Sequence, residues 1–230
     1  MHPLDNVIWQ SLTTRHAQFA EGSGEARRFV HEVSPLAAFR EERPESYASL
    51  AELLGPRGTA GLFLDRPYEP LPGWSYIAGA PLLQMICYNG STSNGKPVPS
   101  AEIVELGTPD SPEMIELTAL TKPGPFGSRT HEFGTYLGIR VERKLVAMAG
   151  ERLKVPGHTE VSAVCTHPDH TGKGYAAILM NEVMKGIRER GEIPFLHVRQ
   201  DNIRAIEIYL RLGFRDRILR HFAVVRKETT

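Results

Sequence analysis

Two cysteines, Cys87 and Cys165, are all that 230 residues hold. That is too few for a disulfide framework, and both are expected as reduced, small core residues. An excess of charge of either sign is also lacking: Lys plus Arg number 27 and Asp plus Glu number 27. Without a basic surplus nothing drives nonspecific attraction to a phosphate backbone, so nucleic acid is not an expected partner. No run approaches the roughly 18 consecutive apolar residues of a membrane span. Residues 1–10 include Asp5 and lack the basic and apolar regions of a secretory signal. A cytoplasmic protein with no membrane partner is the expectation. Low-complexity tracts and short-period repeats are absent too. What remains is an ordinary globular composition, 41% apolar and 23% charged. A chain of this length buries about three-quarters of its unfolded surface, enough for one large domain or two small ones.

The run Asn89-Gly-Ser-Thr-Ser-Asn-Gly-Lys-Pro-Val-Pro99 is rich in turn formers and marks a boundary near residue 100. It divides the chain into residues 1–99 and 100–230. Upstream, residues 9–28 and 46–54 read as helical and residues 61–64 and 76–88 as strands. Downstream come a strand at 101–106 and a helix opened by Ser111-Pro112-Glu113 and running to about 120. Residues 121–130 carry too much Pro and Gly for a helix. Strands at 136–141 and 144–153 then lead into a third around Val161, and a helix places Ala176, Leu179, Met180, Val183, Met184 and Ile187 on one face. A strand at 193–198, a helix at 202–212 and a final strand or hairpin at 214–227 complete a mixed α/β layer fold.

The most informative stretch joins the third strand to that helix: Glu160-Val-Ser-Ala-Val-Cys-Thr-His-Pro-Asp-His-Thr-Gly172-Lys-Gly174-Tyr-Ala-Ala-Ile-Leu-Met180. Pro168 ends strand pairing, the glycines permit a turn with inward N–H groups, and the following helix adds its free first-turn N–H groups. Such a turn binds phosphate. It is not a nucleotide P-loop, because His167 stands where the first glycine is needed and Gly174, not Ser or Thr, follows Lys173. Gly172 to Ala177 does read as G-x-G-x-x-A, but too little chain follows for the further βα units of a dinucleotide-binding fold.

Thr171-Gly-Lys-Gly174-Tyr-Ala176 resembles the coenzyme A turn of the GNAT superfamily of N-acetyltransferases, Gln/Arg-x-x-Gly-x-Gly/Ala, with Thr171 departing from the usual Gln or Arg. Asn202-Ile-Arg-Ala205-Ile-Glu-Ile-Tyr209-Leu-Arg-Leu-Gly213-Phe214 is similar to the superfamily's Asn-x-x-Ala-x-x-x-Tyr-x-x-x-Gly-Phe segment. The resemblance covers roughly residues 135–226 and extends to the two-half, glycine N-acyltransferase-like subgroup. It implies a central, mostly antiparallel sheet flanked by helices, with residues 1–99 a degenerate half of similar layout lacking its own coenzyme site. It further implies acetyl transfer from acetyl-coenzyme A to a primary amine of a small molecule or amino acid, by direct attack in a ternary complex. A non-catalytic acyl-coenzyme A sensor is the competing reading.

The resemblance assigns candidate roles. Val164, Cys165 and Thr166 would pair with the pantetheine arm. His170, Thr171, Gly172, Lys173, Gly174, Tyr175 and Ala176 would surround the pyrophosphate, with Asn202 and Ala205 along the coenzyme chain. Tyr209 lies seven residues from Asn202, on the same helix face, and is the candidate acid for the leaving thiolate. Glu160, at the strand start, is the candidate base, with His167 a weaker one. Phe126, Arg129, His131 and Tyr136 are nominated for the acceptor side, Arg129 as a carboxylate ligand. No metal is expected: His158, Cys165, His167 and His170 lack a second nearby Cys. A monomer or homodimer is anticipated.

Overall fold

Two thirteen-residue strands, Trp74–Ile86 and Arg215–Lys227, pair along nearly their whole length, and that pairing organises the molecule. The structure, a computed structural model, describes residues 2–88 and 102–228. In chain order the elements are α1 (Val7–Thr13), β1 (Ala20–Glu21), β2 (Ala26–Phe29), β3 (Ala37–Phe39), α2 (Pro44–Leu54), β4 (Thr59–Leu64), β5 (Trp74–Ile86), β6 (Ile103–Leu106), α3 (Ser111–Thr121), β7 (Tyr136–Val141), β8 (Lys144–Val155), β9 (His158–Thr166), α4 (Tyr175–Glu189), β10 (Ile193–Arg199), α5 (Ile203–Arg211) and β11 (Arg215–Lys227). Strands β4 to β11 form one eight-stranded sheet in the order β4-β11-β5-β10-β9-β8-β7-β6, and β1 to β3 a small antiparallel sheet. The large sheet is antiparallel throughout except between β9 and β10.

Of the apolar stripe expected for α4, Leu179, Met180, Val183, Met184 and Ile187 are buried and pack with Val146, Ala147, Ala149, Val161, Leu196 and Phe214, whereas Ala176 at the head of the helix is half-buried outside this cluster. A second cluster joins Leu4, Val7, Ile8 and Leu12 to Phe29, Phe133, Leu153, Val155 and Phe195. Helix α3 contributes Met114 and Leu117 to a third, with Tyr136, Leu145, Met148, Ala163 and Cys165. Each buried Leu, Ile, Val, Phe or Met side chain contributes about 1.5–3 kcal/mol, so these stripes fix which face each element turns inward.

One expectation changes. The helix anticipated over residues 9–28 ends at Thr13. Thr13 and Thr14 turn their hydroxyls back onto the carbonyls of Trp9 and Gln10, a bond that competes with helix continuation. Gly22, at φ 91, then turns the chain into β2, where Ala26 and Phe29 are buried. Strands from before residue 100 enter the large sheet. Strand β5 runs between β10 and β11, and β4 pairs with β11 from Leu64↔His221 to Thr59↔Arg226. The boundary run 89–99 itself lies outside the described residues. Upstream, β1 to β3 are antiparallel and a single parallel bridge, Leu36↔Gly61, joins the residue ahead of β3 to β4; downstream, β6 to β9 are antiparallel and β9 meets β10 in parallel.

The parallel pair β9 and β10 stays together for only three rungs, His158↔Ile193, Thr159↔Pro194 and Glu160↔Phe195. Beyond them residues 161–166 pair only with β8, and residues 196–199 only with β5. The sheet therefore opens in its middle. At the opening β9 carries a bulge: Gly150 faces Ser162 but Met148 faces Cys165, and Ala163 takes the left-handed φ of 52°. A non-glycine residue held there stores about 1–3 kcal/mol of strain, and bulges concentrate where a strand must redirect a backbone or side chain at a site.

Candidate active site

The opening between β9 and β10 leads into a cleft of about 550 Å³ closed by the glycine turn and α5. Val164, Cys165 and Thr166 line it from β9; His170, Thr171, Gly172, Gly174, Tyr175 and Ala176 from the turn and the head of α4; Asn202, Ala205 and Tyr209 from α5. All but one of the residues expected along the coenzyme thus share one cleft. The exception is Lys173, whose Nζ lies 3.3 Å from His170 Nδ1 on the exposed side of the turn.

The turn is shaped by backbone conformation. Gly172 and Gly174 sit at φ 78° and 80°, and a β-carbon at either would meet nothing within 4 Å. Their requirement is the left-handed φ, and the space beside them is open to a ligand. Thr171 Oγ1 donates to the Pro168 carbonyl at 3.0 Å, and Asp169 N–H donates to His167 Nδ1 at 3.3 Å. Helix α4 follows with Gly174 as its N-cap and no side chain capping its first turn. Its free N–H groups and dipole favour an anion. No carboxylate lines the cleft, whereas His170, Arg204 and Arg211 do. The residues present therefore suit a phosphorylated, partly apolar ligand such as coenzyme A. Replacing Gly174 with Ala is expected to raise the dissociation constant for coenzyme A about tenfold, since the free turn can relax from the left-handed conformation and binding must restore it at a cost of about 1–2 kcal/mol, while the new methyl enters the open space; titration calorimetry on the variant checks it.

Helix α5 presents its residues as the seven-residue spacing requires. Asn202 caps the helix, its Oδ1 accepting the Ala205 N–H at 3.3 Å, and lines the cleft as well. Tyr209 packs edge-on to Phe214, ring centroids 6.1 Å apart. Burial alone pushes its hydroxyl up to about 12, so it is fully protonated near neutral pH. Burial likewise lifts the Cys165 thiol to about 11, and a protonated strand thiol is no nucleophile.

Glu160 does not fit the role of base. It is fully buried, with Arg152 Nε and Nη2 each 2.8 Å from its oxygens and His197 Nδ1 at 2.7 Å. Burial on its own would raise its pKa, but Arg152 and His197 outweigh it and hold the carboxyl down at about 2. A carboxylate so stabilised in its charged form has almost no affinity for an amine's proton. Glu160 belongs to a polar row crossing five neighbouring strands: Arg217 on β11 donates to Gln84 Oε1 on β5 at 2.7 Å, the Gln84 amide meets His197 Nε2 on β10 at 3.0 Å, and His197 meets Glu160 on β9, which takes Arg152 from β8. Since the Gln84 oxygen already accepts from Arg217, its NH₂ donates to His197 Nε2, and His197 Nδ1–H donates to Glu160.

The four acceptor-side candidates separate. Phe126 and Tyr136 line a small compartment with Arg152, Ser162 and Ala163. Arg129 is exposed and forks onto Glu132 at 2.7 and 2.8 Å, outside that compartment. His131 is buried against Thr108 Oγ1 at 3.2 Å and lines neither space. His167, the weaker base candidate, lies at the turn beside Asp169 and lines neither the cleft nor this compartment. Sequence reasoning missed Arg204 and Arg211, although their spacing of seven marks one face of α5, and it missed Arg152, whose partners come from other strands.

No curated protein matches the chain. The family model described as FR47-like protein matches residues 136–223. Over the whole chain the fold is similar to a crystal structure from Novosphingobium aromaticivorans DSM 12444, assigned as an acetyltransferase of the GNAT family, with 40% identity, a TM-score of 0.88 and 100% of each chain covered. A GCN5-related N-acetyltransferase from Kribbella flavida is 16% identical with a TM-score of 0.64, covering 98% of this chain and 97% of its own. A GCN5-related N-acetyltransferase-like protein from Streptococcus suis 89/1591 is 12% identical with a TM-score of 0.55, covering 96% and 92%; these two speak to the fold alone. With a divided sheet, a glycine turn and full-length likeness at 40% identity, the chain belongs to the GNAT family of acetyltransferases.

Proposed function

We propose that the protein transfers an acetyl group from acetyl-coenzyme A to the primary amine of a small molecule. The observation that carries this reading is the cleft itself, which gathers the strand, turn and helix residues suited to a pantetheine chain and pyrophosphate and excludes carboxylates. The pyrophosphate would rest on the N–H groups around Gly172 to Ala176, and the acyl end would reach the bulge at Ala163. There the amine nitrogen attacks the thioester carbonyl, a C–N bond forms and the C–S bond breaks. The thiolate takes its proton from the Tyr209 hydroxyl, which solvent refills. With Glu160 withdrawn into its ion pair, the amine reacts as its free base and its surplus proton passes to water.

Tyr209 at about 12 is a weaker acid than a free phenol. The burial responsible acts on the departing thiolate beside it as well, and so restores much of the match between donor and acceptor. Residues 1–99 fit a degenerate half-repeat without a coenzyme site of its own, since no glycine turn follows β3. Cytoplasmic residence remains part of this reading, supported by the absence of any helix long and apolar enough to cross a membrane among the described residues.

Calorimetric titration with acetyl-coenzyme A tests the proposal, with NAD as control. The expected result is saturable binding of the thioester alone at about one per chain, followed by coenzyme release when amines are added. Two per chain would remove the half-repeat assignment. Binding without turnover of any amine would leave a sensor, and no binding would end the enzyme reading.

A further inference from the structure

From the donor-lined compartment beside the bulge we infer that the acceptor is a small amine bearing a carboxylate, an amino acid or close analogue, whose carboxylate is held by Tyr136 and Arg152. This rests on the acetyl-transfer reading for its purpose but on separate residues for its evidence.

Tyr136 is fully buried, and its hydroxyl has no hydrogen-bond partner. Buried polar atoms are nearly always paired, so an orphaned one that lines a compartment calls for a missing partner. The ring is firmly placed. It lies across Gly150, where an added β-carbon would stand 2.3 Å from Tyr136 Cδ1, and it meets Phe126 edge-on at 5.8 Å. Glycine at 150, in the middle of β8, is what makes room for it.

Arg152 lines the same space. Glu160 engages its Nε and Nη2, so Nη1 stands outside the pair. The polar row from Arg217 through Gln84 and His197 to Glu160 holds the guanidinium in one orientation. A phenol O–H and a guanidinium N–H both donate, and no carboxylate lines the compartment. Glu160 already balances the Arg152 charge, so what the compartment lacks is acceptor oxygens for the phenol O–H and for Nη1, and a carboxylate offers two of them in one plane. Ser162 and Ala163 belong to both arguments by position: they line this compartment, and the next three residues, Val164 to Thr166, line the donor cleft. A carboxylate on Tyr136 and Arg152 thus places an α-amine next to the acyl end of the coenzyme.

The compartment as it stands has about 10 Å³, room for a single water at most. Admission of an amino acid requires displacement of residues 123–125, which are exposed and cover it. Short side chains are favoured for the same reason.

The test compares free amino acids with their primary amides, which keep the amine and side chain but lose the carboxylate charge. With acetyl-coenzyme A as donor, the amides should fall about tenfold in kcat/KM, the size of effect expected when a buried donor is left facing an NH₂ instead of an acceptor oxygen. Tyr136→Phe keeps the ring on Gly150 and should raise the acceptor KM about tenfold, with kcat and acetyl-coenzyme A affinity unchanged and the unfolding temperature not lowered. Equal turnover of amides, or an unaltered acceptor KM in Tyr136→Phe, would overturn the inference and leave Tyr136 facing a trapped water. Should nothing in the panel be acetylated, saturation-transfer NMR of the same compounds on the coenzyme A-saturated protein decides. Amino acid binding lost in Tyr136→Phe would uphold the acceptor site while the transfer reading fell. No discrimination between acids and amides would remove the site. If coenzyme A itself does not bind, the same NMR comparison on the free protein separates the same two outcomes.

Discussion

Tyr209→Phe is expected to lower kcat about 1,000-fold while leaving the dissociation constant for acetyl-coenzyme A within a factor of two. The prediction follows from what the substitution removes. Tyr209 is half-buried on α5, packs on Phe214 and lines the coenzyme cleft. Phenylalanine retains the ring and its contacts but takes away the proton, and general acids contribute about 10²–10⁴ to a rate. Burial is the only influence on its hydroxyl, so no hydrogen bond within the protein is lost and stability should be unchanged. Stopped-flow measurement of thiol release, beside calorimetric binding, separates the two quantities. Parallel loss of both would make Tyr209 a packing residue. The wild-type rate should climb with pH towards the acceptor amine's own pKa, because no carboxylate lines the cleft to deprotonate the amine earlier.

What the sequence could say about this site was set by range. The glycine turn is legible because a positive φ leaves a mark on a single residue, and Gly172 and Gly174 both take one. Asn202 and Tyr209 are legible because seven residues on a helix return to the same face. Arg204 and Arg211 carried the same signal. Non-local pairing leaves no such mark. Nothing in the spacing announces that β5 enters the sheet between β10 and β11, because that register is fixed by residues more than a hundred positions apart, such as Phe195↔Ile86 and Leu219↔Leu83. Arg129 and Arg152 are equally plausible carboxylate ligands as letters. Only the fold gives one a surface pair with Glu132 and the other a place beside Tyr136.

Glu160 suffered most from that limit, and its replacement by glutamine distinguishes its two roles most sharply. The position matched a catalytic base, yet its partners Arg152 and His197 arrive from the strands on either side. Glutamine fills the same volume and still accepts from His197, but it leaves the nearly buried Arg152, whose side chain is 12% exposed, without a counter-charge. Breaking one side of a buried pair costs about 3–5 kcal/mol, which in a chain of this size lowers the unfolding temperature by roughly 10 °C. The sign with pH follows from the depressed carboxyl at about 2 against an unfolded value of about 4.3. Ionised Glu160 stabilises the fold fully above the unfolded value, and that contribution is lost as pH falls through 4 towards 2, where the wild-type side chain becomes neutral like glutamine. The stability gap between wild type and Glu160→Gln should be constant above about pH 5 and close on acidification, a trend that denaturant titrations at several pH values measure directly. A base would behave otherwise: its loss would spare stability and depress the rate at low pH, with recovery as the amine deprotonates unaided. The buried ion pair predicts a large, pH-dependent change in stability and a pH–rate profile whose midpoint does not move.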